Sequence, residues 1–436
     1  MAHILLVGNM RVSLPLARNL SRAGHTIHCD VDALDPFLFK SRHIRGHFTH
    51  GHEDDDLETV AGRVLRYLSD HPEIDTLIPV SETSTRFYSA NRGHLPPGVR
   101  LILPSADVVD MCTRKSAMFD LCDGLGVAVA SRRIVSDYPT LLDAVEAIGR
   151  PCVVKPVDAS SSIFGRKALV VSSGERIDRL VPHWPEGHLD LCVQAFVQGA
   201  RHNVVFAAHE GSLVGAVEFE SLRTDRADGT GYSTHVVSVA PDPAVVHATQ
   251  ALVGALNYTG VGMLQFMVDR SSGEVSLLEL NPRLGGTYRA AEICGLPVSV
   301  LMLDLGRGCV PALRPDPWAY RVGVRLVWTR GDISGLLHEM KCGRLGAWPA
   351  LRWAAAALRD AFRRHHMTLD AADPSPTVQA YLHPLLRRLG LERDRRAQAP
   401  ILSGPTRMTT AGFRSHREAS GAGLAGPVTR LPWTWL

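Results

Sequence analysis

Between Gly260 and Tyr288 the chain reads GVGMLQFMVDRSSGEVSLLELNPRLGGTY, and no other stretch restricts the fold so strongly. Two runs with strand character, Met263 to Asp269 and Val275 to Asn281, flank a short loop of Arg270, Ser271, Ser272 and Gly273, the signal of a β-hairpin. A turn centred near Ser272 puts Gln265 opposite Glu279. Side chains alternate across a strand, so Gln265 shares a face with Met263 and Met267, and Glu279 shares one with Leu277 and Asn281. Leu264, Phe266, Val268, Leu278 and Leu280 give the opposite face an apolar surface, so the sheet is expected to be covered on both sides. Three oxygen-bearing groups on a covered face need a polar partner. The hard oxygens of Gln265, Glu279 and Asn281 suit Mg²⁺, which keeps waters and shares its shell with substrate phosphates. Arg283 follows beyond Pro282, where a fixed cation can reach a phosphoryl oxygen. A surface hairpin ending in an Asn-Pro turn is the plainer alternative.

The run LLELNPRLGG resembles the last motif of the ATP-grasp family. The resemblance implies that an acid and an asparagine hold magnesium beside the nucleotide phosphates, with the arginine facing the reacting phosphoryl group. Gln265, where an acid is common, is most similar to the large subunit of carbamoyl phosphate synthetase. The implied fold is α/β. A parallel-sheet pre-ATP-grasp domain (1–104) precedes a two-lobed α+β ATP-grasp fold with a nucleotide-binding lobe (105–198) and a catalytic lobe (199–310). A strand and a mostly helical C-terminal extension (311–394) follow. The last residues, 395–436, are rich in Gly, Ala, Pro, Ser, Thr and Arg, a composition expected to stay disordered.

The remaining parts occur in family order. His3 to Gly8 reads as a strand, Val12 to Ala23 as a helix closed by Gly24, and His25 to Asp30 as a second strand, a βαβ unit that implies a parallel sheet. The turn at Gly8 and Asn9 lacks the later glycines of GxGxxG, which weakens a nicotinamide or flavin reading, and with it an oxidoreductase. Ser81 and Glu82 follow the strand Thr76 to Val80, where open α/β sheets place ligands; a helix cap is the alternative. Lys155 lies in the apolar strand Cys152 to Pro156, where an ammonium needs a partner such as phosphate. The loop holding Ser160, Ser161, Ser162 and Gly165 is small, polar and able to present N–H groups to phosphates. The resemblance implies that Lys115, at a helix head, and Lys155 hold ATP phosphates. It also implies that Gln194 sits near the adenine edge with Phe196 and Val197 in apolar contact. Ala195 and Arg201 depart from acids common at those points, which leaves the ribose contact open. Arg223 and Arg226, in a loop from Ser221 to Ser233, could receive an anionic substrate. Gly285 and Gly286 permit close backbone approach. In the C-terminal region Tyr320 to Thr329 reads as a strand, and Trp348 to Met367 as a basic helix with Trp353, Leu358 and Phe362 near one side.

At 45% hydrophobic and 21% charged residues with a formal charge of +3, the chain falls in the soluble globular range and calls for no nucleic-acid partner. Only five of its 47 basic residues are Lys, so Lys115 and Lys155 stand out. The eight Cys form no CxxC pair, and no run is long enough for a membrane span, so buried reduced thiols in a cytoplasmic protein are expected. Taken together, the resemblance implies an ATP-dependent, ADP-forming carboxylate–amine ligase working through an acyl phosphate. It would use ATP with Mg²⁺ or Mn²⁺ and small-molecule carboxylate and amine substrates. A non-catalytic ATP-binding module is the second reading. A homodimer, and a carrier or partner protein at the C-terminal region, stay open.

Overall fold

The computed structural model describes residues 1–8, 10–32, 37–50, 57–157, 163–164, 166, 168–174, 176–185, 190–312 and 314–388. The tail 395–436 lies outside them. The N-terminal part contains β1 (His3–Val7), α1 (Met10–Arg22), β2 (Thr26–Asp32), β3 (Gly46–His50), α2 (Leu57–Asp70), β4 (Thr76–Pro79), α3 (Glu82–Ala90) and β5 (Arg100–Leu101). The five strands form a parallel sheet in the order β3-β2-β1-β4-β5. The apolar run of β1 is buried on both faces. Ile4 and Leu6 pack with Leu16 and Leu20 of α1, and Leu5 and Val7 with Val64 of α2 and Phe87 of α3. Such two-sided burial is what a continuous apolar strand in a parallel sheet requires. After β1, Gly8 turns at φ 141° and donates its N–H to Asp30 Oδ1 at 2.9 Å. Asp30 is thus buried with its carboxylate on the Gly8 N–H, and the dinucleotide reading loses an exposed acid.

The second part contains α4 (Ala106–Thr113), α5 (Lys115–Leu125), β6 (Arg132–Val135), α6 (Tyr138–Ile148), β7 (Cys152–Pro156), β8 (Leu169–Val171), α7 (Ile177–Leu180) and β9 (Leu191–Ala195). Its four strands run antiparallel in the order β6-β9-β7-β8. In β7, Cys152 and Val154 join Leu141 and Val145 of α6 in one core. Strand alternation therefore turns Lys155 to the other side, away from that core.

The third part begins with β10 (Gly199–His209), β11 (Ser212–Thr224), β12 (Ser233–Ser238), α8 (Pro243–Ala255), β13 (Gly260–Asp269), β14 (Val275–Asn281), α9 (Arg289–Cys294) and α10 (Val298–Gly306). It continues with β15 (Arg325–Val327), α11 (Thr329–Lys341), α12 (Ala347–Arg363), β16 (His365–His366) and α13 (Ser375–Arg388). A single sheet of seven strands runs β14-β13-β10-β11-β12-β15-β16, with β15 and β16 parallel. The C-terminal region is helical, as expected, but two of its strands, β15 and β16, extend the seven-stranded sheet. The strand expected from Tyr320 is shorter because Gly323, at φ 82°, breaks the extended backbone.

Buried ion pairs tie this region to the rest. Arg18 of α1 is 1% exposed; its Nε donates to Asp373 at 2.9 Å, its Nη2 donates to the Asp373 carbonyl, and its Nη1 to the Thr368 carbonyl. Arg223 donates from Nε and Nη2 to both carboxylate oxygens of Asp332, each at 2.7 Å, and from Nη1 to Asp360 at 3.2 Å. It lies in β11, where it cannot serve as the loop-borne substrate cation expected from sequence. Trp353 turns inward and donates to Asp332 at 3.1 Å, whereas Leu358 and Phe362 of the same helix are exposed, so the three do not share a side.

Six of the eight cysteines are buried and all are free, with Cys309 and Cys342 exposed. Among the described residues no helix is long and apolar enough to cross a membrane.

Candidate active site

The hairpin β13–β14 pairs Gln265 with Glu279 and Met263 with Asn281, the register expected from its sequence. The pairing then shifts so that Phe266 faces Leu277. Leu278 is the extra residue of a β-bulge, and the faces of β14 exchange beyond it. Leu277, expected beside Glu279, is instead buried with Phe266 and Leu280 in the apolar core, and its N–H donates to the Ala128 carbonyl at 2.8 Å. The bulge leaves the polar end of the hairpin intact. Asn281 Nδ2 donates to Glu279 Oε1 at 2.8 Å, which orients the two groups as a pair.

The polar face extends across β10. Asn203 pairs with Gln265, placing Asn203, Gln265 and Glu279 in one row across three strands. Two residues earlier on the same face, Arg201 donates to the Gly231 carbonyl at 2.8 Å and to Ser233 Oγ at 3.0 Å. Burial lowers the pKa of Arg201, while the charges of Glu279 and Asp225 oppose that shift. Arg201 therefore stands beside the hairpin carboxylate, and neither of its bonds needs a ribose.

The two lysines come from the second part of the chain. Lys115 is the first residue of α5, and its Nζ donates to the Pro156 carbonyl at 2.7 Å. Lys155 donates to Gln194 Oε1 at 2.7 Å. Both ammonium groups thus end on neutral oxygens. Burial, and then the charge of Lys155, push the Lys115 pKa down to about 8, against the weaker pull of Glu279 and Glu82. Two neighbouring cations that also feel a carboxylate call for a bridging anion or metal–anion pair.

Arg283, just past the hairpin, has long contacts only: 3.4 Å from Nη2 to Glu82 Oε2 and 3.4 Å from Nη1 to the Leu284 carbonyl. Its Nε is buried without a hydrogen-bond partner among the described residues. Glu82 comes from the first turn of α3, so it brings the N-terminal part to the end of the hairpin. Beside them a cavity of about 300 Å³ is lined by Pro79, Val80, Pro282, Arg283 and Leu284 among others.

Several expected site residues have other employment. Ser81 caps α3: its hydroxyl accepts the Ser84 N–H at 3.0 Å, and Ser84 returns a bond to the Ser81 N–H. This is the helix-cap alternative, and it occupies the hydroxyl. Gln194 is buried, its oxygen taken by Lys155 and its Nε2 3.4 Å from the Ala130 carbonyl, so it positions Lys155 and leaves no free edge for adenine. Phe196 and Val197 follow β9 and stay accessible. Arg226 donates to the Asp225 carbonyl at 3.0 Å and lies 3.9 Å from the Asp225 carboxylate, which folds it onto its own loop. Gly285 and Gly286 make room for side chains of this chain: an added Cβ would meet Met263 Sδ at 2.3 Å and Arg11 Nε at 2.3 Å respectively. Ser160, Ser161, Ser162 and Gly165 lie outside the described residues.

Arg11, Arg201 and Asn203 were not singled out as site residues on sequence grounds. For Arg201 and Asn203 the period-two pattern of a strand begun at Gly199 would have placed both on one face. Nothing local marks Arg11, whose surroundings come from residues far along the chain. No cluster of three His, Cys, Asp or Glu exists among the described residues, so a metal at the hairpin would rest on one carboxylate and two amide oxygens. That donor set fits a hard cation whose remaining charge is met by phosphates.

Residues 115–310 match the family model described as the carbamoyl-phosphate synthase L chain, ATP binding domain. The chain is 25% identical over 210 residues to the carbamoyl phosphate synthase large chain of Neisseria meningitidis, covering 46% of this chain and 19% of that protein. It is also 25% identical over 281 residues to the formate-dependent phosphoribosylglycinamide formyltransferase of Chlorobaculum tepidum, covering 58% of this chain and 69% of that one. The structure resembles the biotin carboxylase of Campylobacter jejuni solved with β,γ-ATP, with a TM-score of 0.57 at 17% identity and 74% of each chain covered. Residues 115–310 are therefore similar to an ATP-binding domain, and the chain shares the ATP-grasp fold that the hairpin motif implied.

Proposed function

We propose that this ATP-grasp chain is an ATP-dependent, ADP-forming ligase that joins a small-molecule carboxylate to an amine. In the reaction a substrate carboxylate oxygen attacks the γ-phosphorus of ATP, the bond to the β-γ bridging oxygen breaks, and ADP leaves. The amine then attacks the acyl carbon, inorganic phosphate departs, and the amine loses its proton. Chemistry of this kind asks for position and charge neutralisation, with no covalent nucleophile on the protein.

The observation that carries the proposal is the pair Lys115 and Lys155, each bonded only to a neutral oxygen, with Lys115 feeling both the charge of Lys155 and that of Glu279. Lys115 and Lys155 would take the ATP phosphates. Gln265, Glu279 and Asn281 would hold Mg²⁺ or Mn²⁺, which would supply positive charge to offset that of the phosphates. Arg283, weakly engaged at 3.4 Å by Glu82, is free to move onto the transferred phosphoryl group. Glu82, once released by Arg283, is available to an amine. Phe196 and Val197 remain the apolar surface for the adenine ring.

The test is ADP and phosphate release from Mg·ATP in the presence of pooled amino acids and small carboxylates, with Glu279→Ala as control. Release that requires both a carboxylate and an amine and disappears in the variant supports the ligase. Nucleotide binding without release from any pool would instead favour the binding module.

A further inference from the structure

We propose that Arg11 anchors an oxyanion of the non-nucleotide substrate, a carboxylate or a phosphomonoester, beside Arg283. The inference rests on the ligase reading above and adds to it the side chain that would select the substrate.

Arg11 is half-buried, and its guanidinium carbon lies 4.6 Å from the ring centroid of Tyr232 and 4.5 Å from that of Trp328. These rings come from the catalytic lobe and the C-terminal region, whereas Arg11 belongs to the N-terminal part, so three separate segments converge on one cation. Cation–π contact holds the charge in place but satisfies none of its five N–H donors. Among the described residues no oxygen accepts a hydrogen bond from this guanidinium. Arg18, Arg201, Arg223 and Arg289, by contrast, all donate to protein oxygens. This half-buried guanidinium therefore keeps its N–H donors for water or for a ligand, which would supply the acceptors that the protein does not.

Two further observations point the same way. Arg11 lies in the first turn of α1, which holds no acid, and a cation there opposes the helix dipole. An anion in front of that turn would satisfy both the dipole and the arginine. Gly286, in turn, has no side chain where one would strike Arg11, and this lets the guanidinium lie against the segment that follows Arg283. Tyr232, Asp225 and Arg283 act on Arg11, whereas Lys115 responds to Lys155, Glu279, Cys192 and Glu82. The anchor is thus apart from the phosphate-binding lysines and next to the expected reaction centre.

The experiment uses the full chain and follows its thermal midpoint and tryptophan emission. Probes are Mg·ADP, a panel of amino acids with mono- and dicarboxylates, and a panel of phosphomonoesters. At least one acid from either panel should stabilise the wild type. Its apparent Kd should rise about thirtyfold in Arg11→Gln, the loss of one charge-assisted bidentate contact. Arg11→Lys, which keeps the charge, should lose less, and Gly286→Ala, which displaces Arg11 without removing it, should lose as much as Arg11→Gln. The Mg·ADP response should be equal in all four proteins. Which panel responds identifies the oxyanion. No response to either panel, or one that survives in Arg11→Gln, overturns the anchor. An acid response without any Mg·ADP response leaves the anchor standing and removes the nucleotide reading.

Discussion

Lys115 ties nucleotide affinity to pH. In the nucleotide-free protein its pKa is lowered to about 8 by burial and by Lys155. A phosphate between the two lysines would restore the ordinary lysine value of about 10.4 by supplying the missing counter-charge. Binding therefore takes up a proton wherever Lys115 is neutral beforehand. The protonated fraction of the free protein falls from about nine-tenths at about pH 7 to about one-tenth at about pH 9, so the Kd for Mg·ATP should rise about tenfold over that interval. By the same linkage, the nucleotide-free fold should gain stability as pH rises from about 8 to about 10.4, because the unfolded chain still holds a proton that the native state has released. The assay is calorimetric titration with Mg·ATP at several pH values, in buffers of different ionisation enthalpy to count the protons. Lys115→Arg keeps its charge throughout and should bind with a flat profile; Lys115→Met should bind weakly, also with a flat profile. A wild-type Kd that does not change across the interval, or a rise of equal size in Lys115→Arg, would refute the reasoning.

Glu279→Ala should lower turnover by at least about a hundredfold with the thermal midpoint unchanged, since the carboxylate is the one formal charge in the donor set; an active variant would remove Glu279 from the metal role. Mg²⁺ titrated into the nucleotide-free protein should give no saturable heat, because Gln265 and Asn281 are neutral, and binding should appear only once nucleotide is added. Tight binding by the free protein would contradict that donor set. Arg223→Met should destabilise the fold by about 3 kcal/mol in urea unfolding, since Asp332 and Asp360, each 1% exposed, lose a shared cation. A loss below about 1 kcal/mol would mean that His235, Arg359 and Trp353 suffice to hold them.

Local chemistry was legible wherever it depends on near neighbours in the chain. The Gln265–Glu279 register follows from a turn of four residues and the two-residue period of a strand. The burial of β1 on both faces follows from its unbroken apolar run, and the position of Lys155 away from the α6 core follows from alternation in β7. The same period, carried through Leu278, misplaced Leu277, because a bulge is set by what the strand meets, here the Ala128 carbonyl. Partnership of charges was not legible at all. Arg11, Arg223 and Arg283 are alike as residues, yet Arg223 is locked between Asp332 and Asp360, Arg283 rests loosely on Glu82, and Arg11 lies over the rings of Tyr232 and Trp328. Sequence by itself determined the elements and the chemistry of the hairpin, because hydrogen bonding and side-chain alternation act over a few residues. Only the tertiary structure decided which cations stay available to a ligand, because each counter-charge arrives from a segment that folding alone brings into reach.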